Sequence, residues 1–179
     1  MGGFLMIVPT EACQANCSYC FGPHKGNGMM QLDTINAIVN WQNSLFKNEP
    51  NEKLDITFHG GEPLIAGKEY FRKTLQIFKN DLLYRNTRYA IQSNLWLLNH
   101  ELCEIFRDHQ LAVGTSLDGP EDINDSQRGI GYFRKTMAGI QMARSFGLEV
   151  NCICTFTSKT INHAEEIFSF FLKEGLNFS

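Results

Sequence analysis

The chain has 179 residues, of which 43% are hydrophobic and 20% charged, with a formal net charge of −3. This length supports one domain with a substantial core, so we expect residues 1–179 to form a single domain without a second one. The weak acidic balance argues against nucleic acid as the main partner. No apolar run reaches the roughly 20 residues that a membrane-spanning helix needs, and the run at residues 4–8 is too short for a signal peptide. We therefore expect a cytoplasmic protein that does not interact with membranes.

Apolar, β-branched runs alternate along the chain with segments of helical periodicity, a pattern typical of βα units around a parallel sheet. The predicted strands are residues 4–8, 54–59, 88–93, 111–117 and 148–156, followed by the first residues of a sixth. Asp33 and Asn99 are the predicted caps of two helices, and the last helix is predicted to be capped near Asn162. The first helix is predicted to include Phe46 and to break at residues 48–51. A long loop with Arg128 precedes the fourth helix of the predicted series. The fold class is α/β, and periodicity alone leaves a partial barrel and a doubly wound sheet both open.

Three of the six cysteines, Cys13, Cys17 and Cys20, stand in one short loop directly after the first strand. Thiolates are soft ligands that suit iron–sulfur clusters, and three of them would leave the fourth iron of a cubane open to a small molecule. A zinc site with His24 as a fourth ligand is the competing interpretation, because zinc also accepts thiolates. Structural zinc sites usually contain a second ligand pair, which this triplet lacks, so the cluster is favoured.

The other three cysteines, Cys103, Cys152 and Cys154, lie within apolar segments. A chain of this length does not need disulfide bonds for stability, and nothing in it indicates an oxidising compartment. We therefore expect these cysteines to be small core residues, as free cysteine commonly is.

Polar and glycine-rich groups stand at the ends of successive predicted strands, where parallel α/β folds bind ligands. They are Gly60, Gly61, Glu62 and Pro63 after the second strand, Ser93 and Asn94 after the third, and Ser116 and Asp118 after the fourth. Each group alone also fits an ordinary turn or cap, Arg128 a solvated loop cation, and Tyr19 plain packing. Their shared location is what predicts a common binding site.

Taken together, these residues resemble the radical S-adenosylmethionine (SAM) superfamily. Cys13, Cys17 and Cys20, with the aromatic Tyr19, are similar to its cluster motif, and the Gly-Gly-Glu-Pro at residues 60–63 is similar to its second-strand motif. The segment at residues 116–120, followed by Arg128, resembles the subgroup of anaerobic sulfatase-maturing enzymes and peptide maturases of the SPASM type. The similarity extends from the first strand to the last residue.

The resemblance implies a partial (β/α)6 TIM-like barrel of five βα units and a sixth-strand stub. It also implies a [4Fe–4S] cluster on the three loop cysteines, with SAM bound at the open iron. The implied SAM-binding residues begin with the motif at 60–63, in which Glu62 would hold the methionyl ammonium. Arg128 would contact the SAM carboxylate, and Tyr19 belongs to the same set. The residues implied near the ribose and carboxylate are Ser93, Asn94, Ser116 and Asp118. In the family, an electron from the reduced cluster cleaves SAM to methionine and a 5′-deoxyadenosyl radical, which abstracts a hydrogen atom from the substrate. No catalytic side chain is assigned.

The implied activity is that of a radical SAM oxidoreductase or maturase acting on a peptide or protein side chain, with a flavodoxin- or ferredoxin-type reductant. A sulfatase-maturing role is a narrower candidate. Members of this subgroup are longer, with a cysteine-rich C-terminal extension that this sequence does not contain. A cluster- and SAM-binding module without independent catalysis is therefore the alternative. We also expect an unpaired edge at the fifth strand, open to self-association or a partner chain.

Overall fold

The computed structural model describes residues 3–22, 26–45, 52–83 and 86–179. The elements in chain order are β1 (Gly3–Ile7), α1 (Leu32–Leu45), β2 (Lys53–Phe58), α2 (Gly67–Asp81), β3 (Asn86–Ser93), α3 (His100–Asp108), β4 (Ala112–Ser116), α4 (Glu121–Arg128), α5 (Tyr132–Ser145), β5 (Val150–Ile153), α6 (Ala164–Glu174) and β6 (Asn177–Phe178). Short 3-10 turns at Pro63–Ala66 and Ile161–His163 precede α2 and α6. None of the helices described has the length and apolar character needed to cross a membrane.

The six strands are parallel and follow one another across the sheet in the order of the chain. A doubly wound sheet reverses its strand order at one point, whereas this sequential order is that of a barrel. The α/β prediction is confirmed, and the fold is the partial barrel rather than the doubly wound sheet. In β6, Asn177 and Phe178 pair with Asn151 and Cys152 of β5. The expected unpaired edge at the fifth strand is therefore wrong at these residues, and β1 and β6 are the end strands of the described sheet.

The hydrophobic core lies between the sheet and the helices. Alternate residues of a strand point to opposite faces, and in β2 the buried set is Leu54, Ile56 and Phe58. Phe71 and Phe78 of α2 pack on Phe58, with ring centroids 5.2 and 6.3 Å away. This packing fixes the helix side of the sheet and leaves the other side available for a binding site.

Residues 121–128 form the helix α4, where the sequence predicted a long loop. Its residues are strongly polar, so apolar periodicity does not reveal it. Other signals of a helix are present, because Pro120 stands at the N-cap, Glu121 and Asp122 lie in the first turn, and Gly129 follows the last residue. Arg128 is consequently the last residue of a helix and is buried rather than solvated.

The predicted helix caps have mixed outcomes. Asn99 caps α3 as predicted, because its side chain accepts a hydrogen bond from the Leu102 N–H at 3.0 Å. Asp33 lies inside the first turn of α1 rather than at its cap. The N-cap of α6, predicted near Asn162, is the next residue, His163, and no side-chain hydrogen bond caps this helix. The predictions for Phe46 and residues 48–51 lie outside the described residues.

All six cysteines are free. Cys103 and Cys152 are buried in the core, as predicted. Cys154 is only half-buried and packs against the edge of the core. The remaining three lie in the loop between β1 and α1, which forms part of the cavity described next.

Candidate functional site

A cavity of about 490 Å³ lies at the carboxyl ends of the strands. Met6 of β1, Gln92 of β3 and Ile153 of β5 contribute to its wall from the side of the sheet opposite the core. Most of the residues predicted for the site also line it. They are Cys13, Cys17, Tyr19, Cys20, Gly60, Gly61, Glu62, Ser93, Asn94, Ser116 and Arg128. The two other predicted residues, Pro63 and Asp118, are buried behind the wall.

The loop cysteines bring three thiols to one cavity. Burial raises the pKa of the Cys13 and Cys17 thiols, while Cys20 is exposed. Among the described residues, no three His, Cys, Asp or Glu side chains are placed to share one metal ion. A single zinc ion needs ligands gathered at about 2.3 Å from one point, whereas the irons and sulfides of a cubane occupy the space between thiolates. Three thiolates are the donor set of a cubane whose fourth iron lacks a protein ligand, and His24, the fourth ligand in the zinc interpretation, lies outside the described residues.

The cysteine loop is anchored to the far side of the cavity by two hydrogen bonds. The Ser18 N–H donates to the carbonyl oxygen of Gln127 in α4 at 2.8 Å. The Tyr19 hydroxyl donates to Asp118 Oδ2 at 2.7 Å. These contacts join residues about 100 positions apart in the chain, so the position of the thiols depends on the whole barrel.

Gly60 and Gly61 approach the backbone of the cysteine loop. Gly60 has a φ of 123°, and a Cβ on it would lie 2.5 Å from the Thr10 carbonyl oxygen. A Cβ on Gly61 would overlap the carbonyl oxygens of Glu11 and Ala12. The Gly61 N–H also donates to Thr10 O at 3.1 Å. The glycine pair therefore allows the end of β2 to pack directly on the segment that precedes Cys13, in addition to lining the cavity.

Glu62 is 1% exposed and links the ends of β2 and β3. Its Oε1 accepts hydrogen bonds from Ser93 Oγ at 2.7 Å and the Leu64 N–H at 2.9 Å, and its Oε2 accepts from the Asn94 N–H at 2.7 Å. Burial raises the pKa of Glu62 to about 7, although these hydrogen bonds oppose the shift. Pro63 begins the 3-10 turn that this carboxylate caps. The predicted contact of Glu62 with an ammonium group stays a prediction.

Asp118 is fully buried and occupies the centre of a hydrogen-bond network. Its Oδ1 accepts from Arg128 Nη2 at 2.8 Å and the Thr155 N–H at 2.9 Å. Its Oδ2 accepts from the Tyr19 hydroxyl at 2.7 Å and Gln127 Nε2 at 3.0 Å. Each oxygen already accepts two hydrogen bonds and neither is exposed, so this geometry does not fit the predicted contact with ribose. Asp118 instead holds the cysteine loop, α4 and the segment after β5 together.

Arg128 is 5% exposed and is surrounded by groups that stabilise its positive charge. Its Cζ lies 5.2 Å from the ring centroids of both Tyr19 and Tyr132. Its Nη1 lies 3.9 Å from Cys17 Sγ, and its buried Nε has no hydrogen-bond partner in the described structure. Burial lowers the pKa of Arg128, but the hydrogen bond to Asp118 and its charge outweigh that effect, and the net pKa is raised. The predicted contact with the SAM carboxylate stays a prediction.

Several residues of the cavity wall were not predicted from the sequence. Met6, His59, Tyr132 and Ile153 all line it. His59 Nδ1 accepts the N–H of Gly60 at 2.7 Å, and its place directly before the glycine pair was an available signal. Strand alternation could have indicated Met6 and Ile153. Tyr132 had no comparable signal, because its role follows from the unrecognised helix α4 and the turn after it.

The sequence profile of the radical SAM superfamily matches residues 7–171 of the chain. The chain belongs to the radical SAM superfamily. The superfamily uses a [4Fe–4S] cluster and SAM, so the predicted cofactors are confirmed at the level of the family. The subgroup resemblance is confirmed as well, because the relatives include anaerobic sulfatase-maturating enzymes.

Three relatives illustrate the similarity. The chain is 46% identical over 177 residues to an uncharacterized protein of Methanothermobacter thermautotrophicus, covering 99% of the chain and 66% of that protein. It is 29% identical to the cysteine-type anaerobic sulfatase-maturating enzyme of Clostridium novyi, covering 97% of the chain and 49% of the enzyme. The solved structure of anSMEcpe with bound AdoMet matches with a TM-score of 0.88 and 26% identity, over 99% of the chain and 49% of anSMEcpe. The chain therefore spans about half the length of the sulfatase-maturating relatives.

Proposed function

We propose that this chain is the SAM-cleaving core of a radical SAM maturase that acts on a peptide or protein side chain. The observation that carries the proposal is the convergence of three loop thiols and the polar and glycine groups at the strand ends on one cavity. The similarity to sulfatase-maturating enzymes supports the substrate class. A structure of anSMEcpe with bound AdoMet and the Cp18Cys peptide, with a TM-score of 0.86 and 26% identity, supports it further.

In this proposal Cys13, Cys17 and Cys20 would hold the cluster, and the iron left without a protein thiolate would be available to SAM. When bound, the cluster and SAM supply a reducing electron and a hydrogen-abstracting radical. The proposed SAM-facing set is the part of the prediction that lines the cavity: Tyr19, Gly60, Gly61, Glu62, Ser93, Asn94, Ser116 and Arg128. Pro63 and Asp118 do not line the cavity, and Asp118 bonds to Tyr19 and Arg128 of this set.

The residues of the chain orient the cofactors and exclude water from them. Gly61 fixes the cysteine loop against β2, and Asp118 fixes it against α4 through Tyr19. Met6 and Ile153 add apolar side chains to the lining of the same cavity. Apolar side chains that keep water away from a site strengthen its electrostatic contacts and limit side reactions. A flavodoxin- or ferredoxin-type protein is the proposed electron donor.

The second candidate is a module that binds the cluster and SAM but needs another polypeptide for substrate turnover. One observation bears on it, that the chain spans 49% of the Clostridium novyi enzyme and 49% of anSMEcpe. A narrower form of the first proposal is sulfatase maturation itself, which the 29% identity to a cysteine-type enzyme favours.

Anaerobic reconstitution with iron, sulfide, dithionite and SAM tests the proposal. We expect 5′-deoxyadenosine and methionine to form, and the triple variant Cys13→Ala/Cys17→Ala/Cys20→Ala to form neither. Cys154→Ala is the matched control, because this half-buried cysteine does not line the cavity. Cluster assembly and SAM binding without 5′-deoxyadenosine, with or without sulfatase-derived peptides, would contradict the first proposal and favour the module.

A further inference from the structure

We propose that Arg128 is a positioning residue that makes the cluster easier to reduce by holding a fixed positive charge beside the Cys17 sulfur. The inference rests on the proposed function, since it requires a cluster on the three loop cysteines. It concerns the electrostatics of the thiolate side of the cluster and is separate from any contact of Arg128 with SAM.

The geometry directs one end of the guanidinium at the cysteine loop. Arg128 Nη2 donates to Asp118 Oδ1 at 2.8 Å, and Nη1 lies 3.9 Å from Cys17 Sγ. The Nε of Arg128 is buried and has no partner in the described structure. A buried, unpaired donor costs free energy. Asp118 therefore satisfies only one end of the guanidinium, and the other end faces Cys17, a proposed cluster ligand.

The surroundings keep this charge in place and away from water. Arg128 is 5% exposed and Asp118 is not exposed at all. The rings of Tyr19 and Tyr132 each lie 5.2 Å from the guanidinium carbon, a distance at which aromatic faces stabilise a cation. Charge interactions are stronger in such a dry environment than at a surface, so the field of Arg128 at Cys17 is weakly screened.

Reduction of a [4Fe–4S] cluster adds one electron and one unit of negative charge, and no proton or leaving group moves. A nearby positive charge stabilises the reduced form, as hydrogen bonds and charges near the sulfurs do in iron–sulfur proteins generally. Asp118 opposes this effect, because its negative charge belongs to the same buried pair. None of the four hydrogen bonds to Asp118 comes from a cysteine, whereas Arg128 contacts Cys17 directly. The cation therefore dominates at the cluster.

This arrangement predicts shifts of opposite sign for the two members of the pair. Arg128→Gln leaves the Asp118 charge uncompensated and disfavours reduction, while Asp118→Asn leaves the Arg128 charge uncompensated and favours it. A general loosening of the site would not distinguish the two substitutions in this way. Arg128→Lys keeps the positive charge and should retain most of the wild-type potential.

The test is a potentiometric titration of the reconstituted protein, followed by EPR without SAM and with dithionite and redox mediators. We expect Arg128→Gln to lower the one-electron reduction constant at least tenfold, about 59 mV, and Asp118→Asn to raise the potential. Arg134→Gln is the matched control and should leave it unchanged, because Arg134 pairs with Glu121 on the exposed surface. Shifts of the same sign for both substitutions, or an unchanged potential in either one, would overturn the inference.

Removal of either partner of a buried ion pair is strongly destabilising, so one of the two variants could fail to fold. In that case the folded variant decides, and a shift opposite in sign to the one stated for it, or no shift, overturns the inference. If the wild-type protein assembles no cluster, the proposed function has failed and not merely the role of Arg128. If the wild-type protein does assemble a cluster but the potentials do not shift as stated, the role of Arg128 has failed and the proposed function stands.

Discussion

The substitution Gly61→Ala tests whether the glycine pair positions the cysteine loop. A Cβ at this residue would lie 2.6 Å from the carbonyl carbon of Glu11, where ordinary contact begins at 3.4 Å. The loop must therefore retreat by roughly 1 Å, because its backbone has no flexible end that can move aside. Overpacking of this kind typically costs about 2 kcal/mol. For a chain of this size that corresponds to a fall in Tm of about 4–8 °C.

The assay combines thermal unfolding of the apoprotein with iron content after anaerobic reconstitution. We expect Gly61→Ala to lower both the Tm and the iron bound per chain, because the displaced loop carries Cys13. Gly28→Ala is the control, since a Cβ there meets nothing within 4 Å. If Gly61→Ala unfolds at the wild-type temperature and binds the wild-type amount of iron, the close packing is not needed and the reasoning is refuted.

Three further predictions concern the protonation of Glu62, the hydrogen bond of Tyr19 and the removal of the cluster. The raised pKa of Glu62, from 4.5 to about 7, means that its contribution to apoprotein stability is complete below pH 4.5 and is lost as the pH rises through about 7. The loss is about 3 kcal/mol. When the unfolding free energy from urea titrations is plotted against pH, Glu62→Gln should remove this decrease between pH 4.5 and about 7. A variant with the wild-type pH dependence would contradict the prediction. Tyr19→Phe removes the hydrogen bond to the Asp118 carboxylate and should cost about 2 kcal/mol of unfolding free energy, and a loss below about 0.5 kcal/mol would show the bond to be dispensable. Removal of the cluster with an oxidant and a chelator should lower the Tm of the wild-type protein, but it should leave the Tm of the triple cysteine variant unchanged.

The fold was largely predictable from sequence because its strands are buried apolar runs bounded by turn residues. The strand order required the structure, since periodicity does not reveal which strands pair. The helix α4 was not predictable from apolar periodicity, because Ile123 is its one buried apolar residue and its other buried side chains are polar or charged: Asn124, Gln127 and Arg128. The same omission left open the alternative interpretation of Arg128 as a solvated loop cation, which its burial rules out.

The location of the site was predictable, but the roles of its residues were less so. The cysteines and the groups at strand ends converge on one cavity because parallel strands end at the same edge of a sheet. Sequence position could not show that Asp118 is saturated with hydrogen bonds behind the wall, or that Gly61 contacts protein backbone as well as lining the cavity. Both facts depend on contacts between residues far apart in the chain, which only the folded structure specifies.

The central claim, that the three loop cysteines hold a cluster at which SAM binds, is tested most directly by one measurement. It is the EPR spectrum of the anaerobically reconstituted, reduced protein before and after addition of SAM, on samples of known iron and zinc content. We predict about four irons per chain, the spectrum of a reduced cubane, and a change in that spectrum when SAM is added. About one zinc without iron, or a cluster spectrum that SAM leaves unchanged, would contradict the account.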